Sequence, residues 1–161
     1  GTLKNRLATL RWLAEKVGKE NVVARDNDAY AIERRQYVTN QDKGKDLDPA
    51  KVGEVRSPYV AMALRLQAAF GLRREESMKI CPGWADQGNA LVLKASWTKG
   101  GRERELPIRT EVQRAVLNEA KQLASGGSLI PQGTTDKRQL DAFKAECQRV
   151  GINKVHGLRH R

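Results

Sequence analysis

The chain has 161 residues, with 30 Lys and Arg against 19 Asp and Glu, a net charge of +11 at pH 7. That length buries a core without a metal or disulfide staple, and 39% hydrophobic residues suit a folded globular protein. No apolar run approaches the roughly 20 residues that span a bilayer, and Gly1-Thr2-Leu3-Lys4 lacks a signal-peptide pattern, so a soluble, cytoplasmic protein with no membrane partner is expected.

Leu3, Leu7, Leu10, Ala14 and Val17 recur at helical spacing and predict an amphipathic helix over 2–17, ended by Gly18. Asn27 or Asp28 is a cap for a second helix running to about Val38, with Tyr30 and Ile32 on its apolar side. Residues 42–56 are polar and carry Gly and Pro, which reads as a linker, although Asp48-Pro49 also has the form of a helix start. Ser57-Pro58 opens a helix whose Val60, Met62, Ala63, Leu64, Leu66, Ala68, Ala69 and Phe70 make it apolar on most sides, hence central, until Gly71 breaks it. A short helix from Arg74 to Ile80 follows, ended by Pro82-Gly83.

From residue 84 the pattern changes. Asp86-Gln87-Gly88-Asn89 is a turn signal, 90–97 reads as a strand, Gly100-Gly101 as a second turn and 104–108 as the returning strand. Thr110 followed by Gln113 is a capping-box pattern, with Val112, Ala115, Val116, Ala120 and Leu123 as the buried stripe and Gly126-Gly127 as the stop. Another helix is predicted from Thr135 to Val150, stopped by Gly151, and residues 153–161 begin a further one.

Charge is unevenly placed: residues 1–50 carry ten basic and eight acidic side chains, and 51–161 carry twenty and eleven. An excess of that size favours a polyanionic partner, because binding releases counterions condensed on a phosphate backbone. Charge alone does not distinguish DNA from RNA or an anionic membrane surface. Cys81 and Cys147 stand apart, with no CxxC pair, and read as small buried hydrophobes. His156 and His160 are the two histidines, so neither a structural zinc site nor another cofactor is expected. Trp12, Trp84 and Trp97 read as core or sheet-face aromatics.

Three local patterns carry chemistry: Gly71-Leu72-Arg73-Arg74-Glu75-Glu76, the hairpin from Thr98-Lys99-Gly100-Gly101-Arg102 to Arg104, and His156-Gly157-Leu158-Arg159-His160. Phosphoryl transfer without a metal must neutralise the nonbridging oxygens, which guanidiniums do as permanently charged forks. It must also bring a proton to the leaving oxygen, which a lysine or a histidine can donate. Arg73, Arg159, Lys99 and His156 supply that inventory. Taken one at a time, each has a plainer reading: Arg73 and Arg74 as surface charge, Lys99 as a turn residue, Arg102 and Arg104 as partners of Glu103 and Glu105.

Together, in this order, the three patterns resemble those of the tyrosine recombinase (phage integrase) family. Gly71-Leu72-Arg73 with Glu76 is similar to its first arginine box. The Lys99 hairpin with Arg104 and Leu106-Pro107-Ile108 is similar to its catalytic hairpin, and His156-Gly157-Leu158-Arg159-His160 to its second box. The first box and Ser96-Trp97-Thr98-Lys99-Gly100-Gly101-Arg102 most resemble integrases of bacterial mobile elements.

The resemblance implies an α+β fold: a mostly helical catalytic domain over 57–161 with a small antiparallel sheet of about three strands. Residues 1–41 would end an N-terminal core-binding domain. Arg73 and Arg159 would clamp the scissile phosphate, Lys99 would protonate the leaving 5′ oxygen, and His156 would hydrogen-bond the phosphate. Glu76 and His160 would support the pocket, while Arg74, Arg102 and Arg104 would contact DNA. Duplex DNA is the implied partner, with self-association on it at the bacterial nucleoid. The family's nucleophilic tyrosine follows the second box, and Tyr30, Tyr37 and Tyr59 all precede Arg73. The expectation is therefore a catalytic domain incomplete at its C-terminus, with no nucleophile of its own and inactive in cleavage by itself. A non-catalytic DNA-binding module of the same fold is the alternative, and an RNA-binding protein sharing only the charge is a third reading.

Overall fold

A computed structural model describes residues 2–33, 44, 46–153 and 155. The chain divides into two compact units, 1–41 and 42–161.

In the first unit, α1 spans Leu3–Lys16 and buries Leu7 and Ala14, whereas Leu3, Leu10 and Val17 of the predicted stripe are exposed. Gly18 follows the helix in the left-handed region, at φ 66°. Arg11 draws the next segment back: its guanidinium donates to the Ala24 carbonyl (2.8 Å), the Asp26 carbonyl (3.1 Å) and Asn27 Oδ1 (3.0 Å). Asn27 is thereby spent on Arg11 and caps no helix. The helix predicted from 28 to 38 is, in its described part, a single 3-10 turn over Asp28–Tyr30 ended by left-handed Ala31. The remainder of that prediction, 34–38 with Tyr37, lies outside the described residues.

The second unit opens with α2, Pro49–Gly53, where Asp48 accepts the Ala50 N–H at 3.0 Å. The stretch read as a linker thus contains a helix, and Leu47 and Val55 within it pack into a core. Helix α3, Pro58–Phe70, is capped by Ser57 and closed by Gly71 at φ 62°. It is central because it feeds two cores. Met62, Leu66 and Phe70 face one with Leu72, Leu91 and Leu117, while Val60, Ala63 and Leu64 face the other with Met78, Phe143 and Cys147.

Helix α4 runs Arg74–Lys79. Pro82 does more than end it: the missing N–H suits a first turn, and Pro82–Ala85 forms the one-turn α5. Strands β1, Ala90–Leu93, and β2, Arg104–Pro107, pair antiparallel with Leu91 opposite Leu106 and Leu93 opposite Arg104. The described residues hold two strands where about three were expected. The predicted 90–97 strand stops at Leu93 because Ala95–Trp97 curl into a 3-10 turn, from which Trp97 meets Trp84 edge-on with centroids 5.4 Å apart.

Helix α6, Glu111–Ala124, has a reciprocal capping box: Thr110 Oγ1 accepts the Gln113 N–H and Gln113 Oε1 accepts the Thr110 N–H. Val116, Leu117 and Ala120 are its buried residues; Val112 is exposed, and left-handed Ser125 ends the helix ahead of Gly126. Helix α7, Asp136–Arg149, is capped by Thr135 and buries Gln139, Phe143 and Cys147. Burial pushes the Cys147 thiol up to about 11, which makes it inert at neutral pH. Trp12 and Trp84 are exposed, contrary to a core role. No helix among the described residues is long and apolar enough to cross a membrane.

Candidate functional site

The break between α3 and α4 sets the site. Gly71 turns the chain, Leu72 anchors it in the core at 1% exposure, and Arg73 is left extended at φ −71°, ψ 154° as the residue preceding α4. Glu76, one turn along, is fully buried. Its carboxylate accepts the Arg73 backbone N–H at 2.8 Å and Arg73 Nη1 at 2.6 Å. It also accepts Arg104 Nη1, at 3.0 Å to Oε2 and 3.2 Å to Oε1. A lone carboxylate in that position would be costly, and burial is indeed the largest influence on Glu76, pushing its pKa up. The Arg73 N–H, the Arg73 guanidinium and the Arg104 charge outweigh it, so the net direction is down and Glu76 stays ionised.

Arg104 does not pair with Glu103 or Glu105. Neighbours in a strand point to opposite faces, and Arg104, opposite Leu93, lies on the face that meets α4. The side chains of Arg73 and Arg104 retain 31% and 29% exposure. Among the described residues they donate only to Glu76, and only through Nη1.

The hairpin tip is tied by Thr98, whose hydroxyl sits 2.6 Å from the Arg102 carbonyl oxygen and accepts the Arg102 N–H at 3.1 Å. Gly100, at φ 98°, and Gly101, at φ 64°, make the turn possible. Lys99 is exposed at its apex and has no ion pair among the described residues. At the base, the Ala95–Trp97 turn packs on α4, and Lys94 Nζ lies 4.1 Å from the Trp84 ring centroid and 5.5 Å from that of Trp97. This cation–π contact was not foreseen, since a strand over 90–97 would have kept Trp97 in the sheet. Arg74 and Arg102 are exposed. His156, Arg159 and His160 lie outside the described residues.

A second buried carboxylate, Asp86, takes Arg114 Nη1 at 2.8 and 2.9 Å and Lys121 Nζ at 2.9 Å. Arg114 Nη2 also donates to the Gly88 carbonyl, so this cluster locks α6 to the turn before β1.

Fold and site together define a mostly helical α+β domain that presents fixed, part-exposed guanidiniums beside a glycine-rich hairpin. The integrase family model matches residues 45–161, and the chain belongs to that family, which gives it an integrase-like role in DNA recombination. The match takes in α2 and most of the stretch first read as a linker. No curated protein and no solved structure matches the chain.

Proposed function

We propose that this domain performs DNA strand cleavage and rejoining of the tyrosine recombinase type at sites used by a bacterial mobile element. The observation that carries the reading is Arg73, fixed through Nη1 to buried Glu76 while Nε and Nη2 are unengaged among the described residues. Such a fork is preorganised for the nonbridging oxygens of a phosphodiester. Arg73 and Arg159 hold the scissile phosphate, His156 hydrogen-bonds it, and His160 supports the pocket. A tyrosine hydroxyl in the family's position after the second box gives its proton to His156 and attacks phosphorus. The P–O5′ bond breaks, a 3′-phosphotyrosyl link forms, and the Lys99 ammonium gives its proton to the departing 5′ oxygen. Glu76 positions Arg73 and touches no substrate. Arg74 and Arg102 contribute to backbone contacts along duplex DNA, on which copies of the protein associate, and residues 1–41 belong to the DNA-clamping domain that precedes the catalytic one.

Lys99 gives the most direct test. In a recombinase carrying this domain, Lys99→Ala is expected to slow cleavage by about 10²–10⁴-fold, the usual share of general acid catalysis. A 5′-bridging phosphorothiolate substrate should restore the rate, because a thiolate leaves without a proton. Slow cleavage of both substrates removes Lys99 from the proton-donor role.

A further inference from the structure

The Arg73–Glu76 pair presents an electrostatic difficulty. A guanidinium and the fully buried, ionised carboxylate it donates to carry no net charge as a pair, and a neutral pair attracts a phosphate only through its dipole. Arg104 removes the difficulty. It shares the same carboxylate, so two cations on one anion leave one positive charge, matching the single negative charge of a phosphodiester.

Geometry agrees with charge. Both Nη1 atoms lie against Glu76 Oε1, Arg73 at 2.6 Å and Arg104 at 3.2 Å, so the two forks stand side by side. Each is about a third exposed, and neither has a second acceptor among the described residues. They rise from rigid elements, one at the start of α4 and one in β2, paired with Leu93. Asp86 provides the internal contrast: a carboxylate with the same two-cation arrangement, whose arginine spends its other terminal nitrogen on the Gly88 carbonyl.

We infer that Arg104 is a phosphate-contacting residue, gripping the same phosphodiester as Arg73, with Glu76 holding the two forks in register. The inference rests on the reading of Arg73 as a phosphate ligand. It assigns to Arg104 a contact at the reacting phosphate and not merely one somewhere along the DNA backbone.

The test is a titration of the ¹⁵N-labelled 161-residue chain with inorganic phosphate and, separately, dimethyl phosphate, chloride being exchanged to hold ionic strength. The arginine Nε–H resonances are followed by NMR, those of Arg73 and Arg104 assigned through Arg73→Lys and Arg104→Lys. Arg138, exposed and without a carboxylate partner among the described residues, is the reference for diffuse ion effects. The expected result is that Arg73 and Arg104 shift together and saturate with one Kd while Arg138 drifts without saturating. Arg104→Lys should then weaken phosphate about threefold or more at Arg73, since an ammonium keeps the charge and loses the fork. Saturation at Arg73 with Arg104 silent overturns the inference and leaves the proposed function standing. Silence at both overturns the phosphate site itself.

Discussion

Glu76 and Asp86 are each a carboxylate almost wholly removed from water and shared by two cations, and they differ in what those cations do with their remaining donors. At Asp86 the arginine spends a further donor within the fold. Arg114 reaches a backbone carbonyl, and Lys121 comes from the same helix, so the cluster closes on itself. At Glu76 the arginines, Arg73 and Arg104, come from two elements, and among the described residues their remaining side-chain donors have no acceptor. One arrangement secures α6 against the turn at Gly88; the other holds a pair of forks ready for an anion. Counting ion pairs would rate the two alike, whereas tracing each donor separates a fastening from a site.

The comparison breaks most readily at Glu76. Glu76→Ala strips two guanidiniums of their shared counterion, and removing one partner of a buried pair costs up to about 3–5 kcal/mol. Urea denaturation should show that loss, and the phosphate-induced shifts at Arg73 should lose saturation in whatever fraction remains folded. Asp86→Ala is expected to cost less, about 1–3 kcal/mol, because Arg114 and Lys121 are more than a third exposed at their side chains and solvent screens them. Phosphate binding at Arg73 should persist in that variant. Equal loss of phosphate binding in both variants would erase the distinction between them.

Acid provides a subtler probe. Glu146 accepts from the Arg149 guanidinium and from the Arg56 N–H, which hold its pKa at about 2 against an ordinary 4.5. A folded-state pKa below the unfolded one adds stability that is complete above about 4.5 and is lost as pH falls toward about 2. Glu76, also shifted down, acts in the same direction. The urea midpoint should therefore fall across that window. Glu146→Gln should reduce the drop without altering phosphate binding, whereas Glu76→Gln should reduce it and abolish the paired response of Arg73 and Arg104.

Much of the helical framework was legible because its signals are local. Ser57, Thr110 and Thr135 accept N–H groups three residues on, and Gly71 and Gly151 take left-handed turns that end or follow helices. Where a distant group competed, the local reading failed. Asn27 is a good helix cap by type, but Arg11, 16 residues earlier, claims its side chain. The 90–97 run alternates well enough for a strand, but Trp97 packs against Trp84. Leu117, absent from the predicted stripe of α6, is fully buried where α3 and α5 pack against that helix.

The candidate site divides in the same way. Residue types suggested phosphate chemistry for Arg73 and Lys99, since a guanidinium fork and a lysine in a glycine turn bring their chemistry wherever they lie, whereas Glu76 and Arg104 were singled out only by resemblance to the family's motifs. Placing Arg104 on Glu76, and not beside Glu103 or Glu105, required the tertiary structure. Once folding strips water from the Glu76 carboxylate, Arg73 alone satisfies only part of it, and the further cation comes from whichever strand packing brings into reach.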